Sequence, residues 1–194
     1  MPNWCVNYID IRGKAEEITA LYNLIEEWTS KESTPTAFGK KWLGNIVNHS
    51  GIGTVDTGAD TDIFCRGYLS EMEDDEDGLL LIQTETAWNP AMKMWDMVCK
   101  KYLTEYSLIY SAEECGEELY YTNDPELKDK YICKIDDESD REASKEYVFK
   151  ELRKVINRPD LDDDELYREY AKDKEAYPDI YIAKWETVNV SELS

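Results

Sequence analysis

The sequence predicts an α+β fold in which helices cover one face of an antiparallel sheet. Three observations support this prediction. Residues 4–12 alternate between two sets of side chains, residues 14–29 and 89–102 have the spacing of amphipathic helices, and strand-like segments follow each helix. The predicted order is β-α-loop-β-β-α-β-β, then further helices. Helices after the first and third strands would lie on the same face of the sheet.

The first predicted strand ends at Gly13 and is followed by a helix over 14–29. Glu16 and Glu17 lie in the first helical turn, where the helix dipole favours acidic side chains. One face of the strand carries Cys5, Asn7, Ile9 and Ile11, and the other carries Trp4, Val6, Tyr8 and Asp10.

Residues 30–60 are the least regular part of the sequence, rich in Gly, Ser, Thr and Asn. Apolar side chains that share one face predict a short helix over 40–48. We interpret the rest of the 35–60 loop as a segment that is either functional or mobile.

The second and third strands are predicted at 62–72 and 79–88, joined by the acidic turn EMEDDEDG at 71–78. The third strand begins with a continuous apolar run, which is typical of a central strand buried on both faces. Asn89 and Pro90 then predict the N-cap and the first position of the next helix. We predict that the aromatic side chains of Trp88, Trp95 and Tyr102 belong to the hydrophobic core.

A fourth strand over 106–112 and a fifth over 119–122 form a predicted hairpin that bends at Cys115 and Gly116. Beyond Asp124 the composition becomes helical and charged. The predicted elements there are a short strand at 131–135, helices at 141–157 and 162–176, and a last strand or extended arm within 177–190.

Two domains of unequal character follow from this pattern. We predict a domain at 1–124 and a C-terminal, mostly helical or extended appendage at 125–194 that packs on it. Asp162 and Glu165 have the spacing of a capping box at the start of the last helix.

Three motifs carry a resemblance to a known family. They are PNWC at 2–5 with Asn7, TAWNPAMKMW at 86–95, and SAEECGEELYYTND at 111–124. Over residues 1–124 the chain resembles the YubB-type ferredoxin-like domain family of phage and plasmid proteins. Asn89-Pro90-Ala91 replaces the family's double proline, and Trp42-Leu43-Gly44 is the nearest match to its WG-containing middle.

The resemblance implies a ferredoxin-like split βαβ sheet without an iron–sulfur cluster, and an origin in a mobile genetic element. It implies no established reaction, so no catalytic residue is carried over. The five cysteines have no CxxC spacing, and we expect buried thiols in a reducing cytoplasm, that of the bacterial host cell.

The charge of the chain narrows the classes of partner. There are 43 acidic against 22 basic residues, for a net charge of −21. Direct binding to nucleic acid or to an anionic membrane requires a basic patch, so both are disfavoured. A basic protein partner fits better. The alternative is a solvated acidic surface without any partner.

No constellation of catalytic or metal-binding residues stands out. His49 is the only histidine and lies in a loop without a spaced partner. Acids cluster at Asp56, Asp60 and Asp62, but capping and solvation explain such groups more simply than calcium or magnesium binding. We predict no catalytic residue, no cofactor and no metal.

Our first hypothesis is a non-enzymatic protein that binds a basic host protein. In its sharpest form the protein mimics nucleic acid and inhibits a defence nuclease. The predicted contact residues are Glu71, Glu73, Asp74, Asp75, Glu76 and Asp77 in the acidic turn, and Asp162, Asp163, Asp164 and Glu165 at the last helix.

The alternative hypothesis is a protein that binds or sequesters a nucleotide with the 35–60 loop and the sheet. It requires an aromatic-lined cavity on which Arg12, Arg66 or the Lys40-Lys41 pair converges. Under either hypothesis, Tyr8 with Tyr68 and the Tyr120-Tyr121 pair are candidates for an outward-facing binding surface.

Overall fold

A computed structural model describes residues 3–31, 38–56, 63–114, 116, 118–135 and 141–193. The chain is a mixture of helices and mostly antiparallel strands. It divides into two compact units. The first comprises Met1–Asp124 together with Thr187–Ser194, and the second comprises Pro125–Glu186. The second unit is therefore inserted into the first along the chain.

The first unit contains a six-stranded sheet. Its elements are β1 (Trp4–Gly13), α1 (Ala15–Ser30), α2 (Leu43–Ser50), β2 (Gly67–Asp74), β3 (Leu79–Ala87), α3 (Met92–Tyr102), β4 (Tyr106–Glu114) and β5 (Leu119–Thr122). The strand order is β2-β3-β1-β4-β5-β9, where β9 is Glu186–Thr187. The connection from β1 to β2 crosses over β3, and the connection from β3 to β4 crosses over β1. These two crossover connections are interleaved.

Strand β1 lies at the centre of this sheet and pairs antiparallel with both β3 and β4. Cys5, Asn7, Ile9 and Ile11 are buried, and the alternate residues are exposed or half-buried, as the sequence pattern predicts. The buried face packs against apolar residues of α1, α2 and α3, which together form one core. We call the opposite face of β1, β2 and β3 the open face.

Strand β3 is not buried on both faces. Leu80 and Ile82 are buried, whereas Leu79 and Leu81 are half-buried on the open face. The apolar run at its start reflects one helix-covered face and one partly exposed face. Strand β2 begins at Gly67, five residues later than predicted, and a register irregularity follows Leu69.

Helix α3 begins later than the sequence predicts. Met92 is its first residue and Ala91 precedes it, so Asn89 is not the N-cap. The Asn89 amide instead donates a hydrogen bond of 2.9 Å to the carbonyl of Ala87. The preference of asparagine for an N-cap is not realised here, because Asn89 belongs to a turn in which the preceding amide, that of Trp88, is hydrogen-bonded to Asn3.

The second unit has a three-stranded antiparallel sheet, ordered β7-β6-β8, and two helices. Its elements are β6 (Lys130–Ile135), β7 (Arg141–Ser144), α4 (Lys145–Ile156), α5 (Asp163–Lys172) and β8 (Ile180–Lys184). The predicted helix over 141–157 loses its first turn to β7, because Ser144 caps α4 by accepting the Tyr147 amide. The predicted capping box of Asp162 and Glu165 is confirmed.

The last residues of the chain return to the first unit. The Val188 amide donates a 2.9 Å hydrogen bond to the carbonyl of Thr122, and the Tyr110 hydroxyl donates to the carbonyl of Val188. Leu193 joins the core of the first unit. The points where the chain leaves and re-enters this unit are therefore adjacent.

Candidate functional site

The three sequence motifs that carry the resemblance meet at one corner of the sheet. Trp4 pairs with Ala87, and the Trp88 amide donates a 3.0 Å hydrogen bond to the carbonyl of Asn3. A Cβ atom on Gly116 would lie 3.0 Å from the Asn3 side-chain nitrogen. Segments that are far apart in the sequence thus become neighbours. The predicted bend residue Cys115 lies outside the described residues.

The buried part of this corner is a polar network between β1 and β3. Asn7 is fully buried, and its amide nitrogen donates to the hydroxyls of Thr84 (3.0 Å) and Thr86 (2.9 Å) and to the carbonyl of Cys5 (3.2 Å). Buried polar groups that all find partners stabilise a specific arrangement. Cys5 and Asn7 therefore hold the two strands in register.

The exposed part of the corner is aromatic. The side chains of Trp4, Tyr68 and Trp88 are 43%, 38% and 44% exposed, and Tyr8 on the same face is 48% exposed. The Trp4 and Tyr68 rings lie 6.1 Å apart between centroids, tilted by 48°. We call Trp4, Tyr68 and Trp88 the aromatic corner. Clustered exposed aromatic side chains are characteristic of binding surfaces.

Two aromatic predictions are wrong. Trp88 was expected in the core with Trp95 and Tyr102, yet it is exposed, because the chain turns outward at the end of β3. Tyr120 was expected to face outward with Tyr121, yet it is buried. Tyr8 and Tyr68 do face outward, as predicted.

The backbone at Trp88 is unusual for a bulky residue. Its φ is +73°, and the amide of Asn89 closes a hydrogen bond to the carbonyl of Ala87 on its other side. This is the rarer and more strained of the two γ-turn forms. Such strain persists only where the surrounding structure imposes it, and it clusters at functional sites. Here the turn directs an indole ring to the surface.

The charges on the open face are predominantly negative. Residues paired directly across strands share a face, which places Glu85 beside Tyr68 and Val6, and Glu71 beside Gln83. Asp10 and Glu73, which both pair with Leu81, lie on the same face of the sheet. Among the described residues of β1, β2 and β3, the base on this face is Arg12, at the far end of β1, and the exposed Arg66 immediately precedes β2.

The acidic turn between β2 and β3 divides into structural and exposed acids. Asp74 accepts from the Thr19 hydroxyl (2.7 Å) and the Glu76 amide, and Asp75 accepts from the amides of Asp77 and Leu79. These two carboxylates shape the turn. The predicted contact residues Glu71, Glu73, Asp75, Glu76 and Asp77 are exposed, and Asp74 is half-buried.

The acids at α5 have structural partners within the second unit. Asp162 and Glu165 form the capping box, and Asp163 pairs with Arg153 at 2.6 Å and with Lys145 at 3.4 Å. The hydrogen bond from Arg153 holds the pKa of Asp163 below its ordinary value. Asp162, Asp164 and Glu165 are exposed, and Asp163 is half-buried. The α5 acids thus stabilise their own helix.

A depression of about 710 Å³ lies along the β2 edge of the sheet. Tyr8 and Lys41 line it, but so do Asp10, Glu26 and Glu71, and Lys41 already donates to the carbonyl of Ser70. Arg12 and Arg66 do not line it. This acidic lining does not suit a nucleotide. Parts of the 35–60 loop, at 35–37 and 57–60, lie outside the described residues.

The other residues that the sequence suggests for catalysis or metal binding do not form a site among the described residues. His49 is exposed on α2. The described part of the chain holds no group of three or more His, Cys, Asp or Glu side chains suited to a metal ion. Asp60 and Asp62 lie outside it. Cys65 and Cys99 are buried, and burial raises their thiol pKa to about 11 and about 12. Such thiols are poor nucleophiles.

Comparison of the chain with protein-family models, curated proteins and solved structures finds no match. Within the described ranges, no helix combines the length and the apolar character needed to cross a lipid bilayer.

Proposed function

We propose that this protein is a non-enzymatic binding protein whose open face docks onto a basic protein partner. The observation that carries the proposal is the combination of exposed aromatic rings and carboxylates on one sheet face. Trp4, Tyr8 and Tyr68 supply ring faces, and Glu71, Glu73 and Glu85 supply negative charge among them.

This combination selects the chemistry of the partner. Aromatic side chains dominate protein interfaces, and their ring faces attract cations. Carboxylates repel phosphate groups, so a sheet with these acids is a poor surface for RNA or DNA. A protein segment rich in arginine and lysine satisfies both the rings and the acids.

The partner would be a protein that itself binds nucleic acid, because such proteins carry the basic surfaces that match this face. The net charge of −21 adds long-range attraction to the contact. Occupation of that basic surface would exclude nucleic acid from it. Inhibition of a host defence nuclease by nucleic-acid mimicry is the most specific form of this proposal.

The proposal is tested with a peptide in which arginine and lysine alternate with serine, titrated into the full-length protein at low and at physiological salt. The test variant, which we call the hairpin variant, carries Glu71→Gln, Glu73→Gln, Glu76→Gln and Asp77→Asn. The matched control carries Asp173→Asn, Glu175→Gln, Asp179→Asn and Glu186→Gln, which removes as many exposed charges elsewhere.

We expect affinity to fall steeply with added salt, and the hairpin variant to bind about tenfold more weakly than the control. A short DNA duplex should compete with the protein for the peptide. If both variants lost the same peptide affinity, net charge alone would explain binding and the open face would not be the docking site. Peptide affinity that does not change with salt would contradict the proposal. Capture from lysate at two salt concentrations, followed by mass spectrometry, would then identify the partner.

The proposed fold of the first unit is ferredoxin-like. Its support is the antiparallel strand order β2-β3-β1-β4 with α1 and α3 in the two interleaved connections. Membership of the YubB-type family and an origin in a phage or plasmid remain proposals that rest on the three motifs. A cytoplasmic location in a bacterial host belongs to the same proposal.

A further inference from the structure

We infer that the aromatic corner and Glu85 form a recognition site for an arginine side chain of the partner. The inference rests on the proposed function and names the chemical group that the partner contributes. It depends on three independent features: the placement of Glu85, the lack of a partner for its carboxylate among the described residues, and the strained turn at Trp88.

Glu85 stands among aromatic side chains. On β3 it pairs with Val6 of β1 and with Tyr68 of β2, and Ala87, two residues further along the same face, pairs with Trp4. Cross-strand pairs and their diagonal neighbours are within reach of aromatic side chains. The register therefore places Glu85 opposite Tyr68 and diagonal to Trp4, and the centroids of those two rings are 6.1 Å apart.

The Glu85 side chain is exposed and forms no hydrogen bond or ion pair with any described residue. Asp74, Asp75 and Asp163, by contrast, are engaged in a turn or an ion pair. A carboxylate that no internal donor satisfies, placed against exposed rings, is available to a cation from outside.

A guanidinium group fits this arrangement better than an ammonium group. It is planar, stacks on aromatic faces, and can donate two parallel hydrogen bonds to one carboxylate. A cation within about 6 Å of a ring centroid is attracted by the ring, and one position can satisfy that distance for both Trp4 and Tyr68. An apolar side chain at the same place would strip water from Glu85 without compensation.

The turn at Trp88 supports the same conclusion independently. Its φ is +73°, its amide donates to the carbonyl of Asn3, and its side chain is exposed. Backbone strain at an exposed tryptophan contributes nothing to the core. The hydrogen bond from the Trp88 amide to the Asn3 carbonyl fixes this turn, and strain of this kind clusters at functional sites.

The experiment compares nona-arginine with nona-lysine, which have equal charge, in titrations of the full-length protein at physiological salt. We expect nona-arginine to bind more tightly. Glu85→Gln and Trp4→Ala should each weaken nona-arginine binding about threefold to thirtyfold and weaken nona-lysine binding clearly less. Glu105→Gln removes an exposed acid at the other end of the sheet and is the control.

Arg66 provides a test of opposite sign. It is an exposed base that immediately precedes β2, and its carbonyl accepts from the Ala87 amide. Arg66→Ala should leave nona-arginine affinity unchanged or raise it, because a competing cation is removed. A fall would contradict an arginine site. Cooperative thermal unfolding of each variant, well above the temperature of the titrations, would show that the variants fold.

The outcomes separate the two proposals. Equal affinity for both peptides, with Glu85→Gln no weaker than Glu105→Gln, overturns the arginine site. If the hairpin variant still loses peptide affinity in that case, binding to a basic partner stands. If neither peptide binds, both proposals fail.

Discussion

The two faces of β1 differ in what holds their side chains and in what those side chains can do. Cys5 and Asn7 point inward and are fully buried, and the Asn7 side chain donates hydrogen bonds to Thr84 and Thr86 on β3. Trp4 and Tyr8 point outward and remain almost half exposed. A single motif therefore contributes to stability through one set of residues and to proposed recognition through the other. Substitutions on the two faces should separate these effects.

The largest expected effect is on the helix-covered side. Trp95→Ala should lower the free energy of unfolding by about 3–5 kcal/mol, because Trp95 is fully buried and its loss leaves a cavity. Trp4→Ala should cost about 1 kcal/mol or less, mainly its contact with Tyr68. Urea unfolding measures both. Similar losses would contradict the division between the two faces.

Asn7→Ala should lower the free energy of unfolding by about 1–3 kcal/mol, because Thr84 and Thr86 lose their buried donor. Gln83→Ala, on the open side of β3, is the matched control and should cost about 0.5 kcal/mol or less. Urea unfolding monitored by tryptophan fluorescence gives both values. An equal cost would mean that the network adds nothing specific.

Trp88→Gly should relieve the positive-φ turn. The relief, about 1–3 kcal/mol, is offset by the backbone entropy of glycine, about 1 kcal/mol, and by lost ring contacts. We expect this variant to be at least as stable as Trp88→Phe, which keeps the strain, and to bind nona-arginine more weakly. Thermal unfolding and titration test the two parts separately. A clearly less stable glycine variant would argue against strain at this position.

The smallest effect concerns two carboxyls on the outward side of β1 and β4. Desolvation raises the pKa of Asp10 above 3.8 and that of Glu113 above 4.5. Nearby Asp124 adds to the shift at Asp10, and Arg12 opposes it. Because the folded state binds these protons more tightly, stability falls as pH rises from the unfolded pKa through the folded pKa.

Above the folded pKa the cost persists, so Glu113→Gln and Asp10→Asn should each raise stability at pH 7. Below the unfolded values of 4.5 and 3.8 both carboxyls are protonated, and the gain should vanish. Urea unfolding at pH 7 and at a pH below 3.8 measures how much more stable each variant is than the unsubstituted protein. A gain of equal size at both would point to a cause other than ionisation.

The elements that the sequence predicts well are those decided by near neighbours. The alternation of β1, the helix at 15–30 and the capping box of Asp162 with Glu165 depend on residues a few positions apart. The sequence does not predict the start of α3, because the Asn89 amide belongs to a turn that is anchored to Asn3, just before β1 and far away in the sequence. The outward turn of Trp88 has the same origin.

The residues of the candidate site, too, could be predicted only where near neighbours in the sequence decide their position. The acids of the 71–77 segment and the outward tyrosines, Tyr8 and Tyr68, could be identified from charge and alternation. Glu85 and Trp88 could not, since neither has a distinguishing local pattern. The signal that could have found them was the proximity of two motifs, at 2–5 and 86–95, each with an unexplained tryptophan.

By itself, the sequence determined the acidic character of the protein, its α+β class and the side-chain periodicity of its main strands, because composition and spacing decide these locally. Tertiary structure alone decided which strands are neighbours, which face the helices leave open, and which acids remain unpaired. Those properties depend on the packing of segments far apart in the chain. The convergence of Trp4, Tyr68, Glu85 and Trp88 at one corner is a consequence of strand order and register.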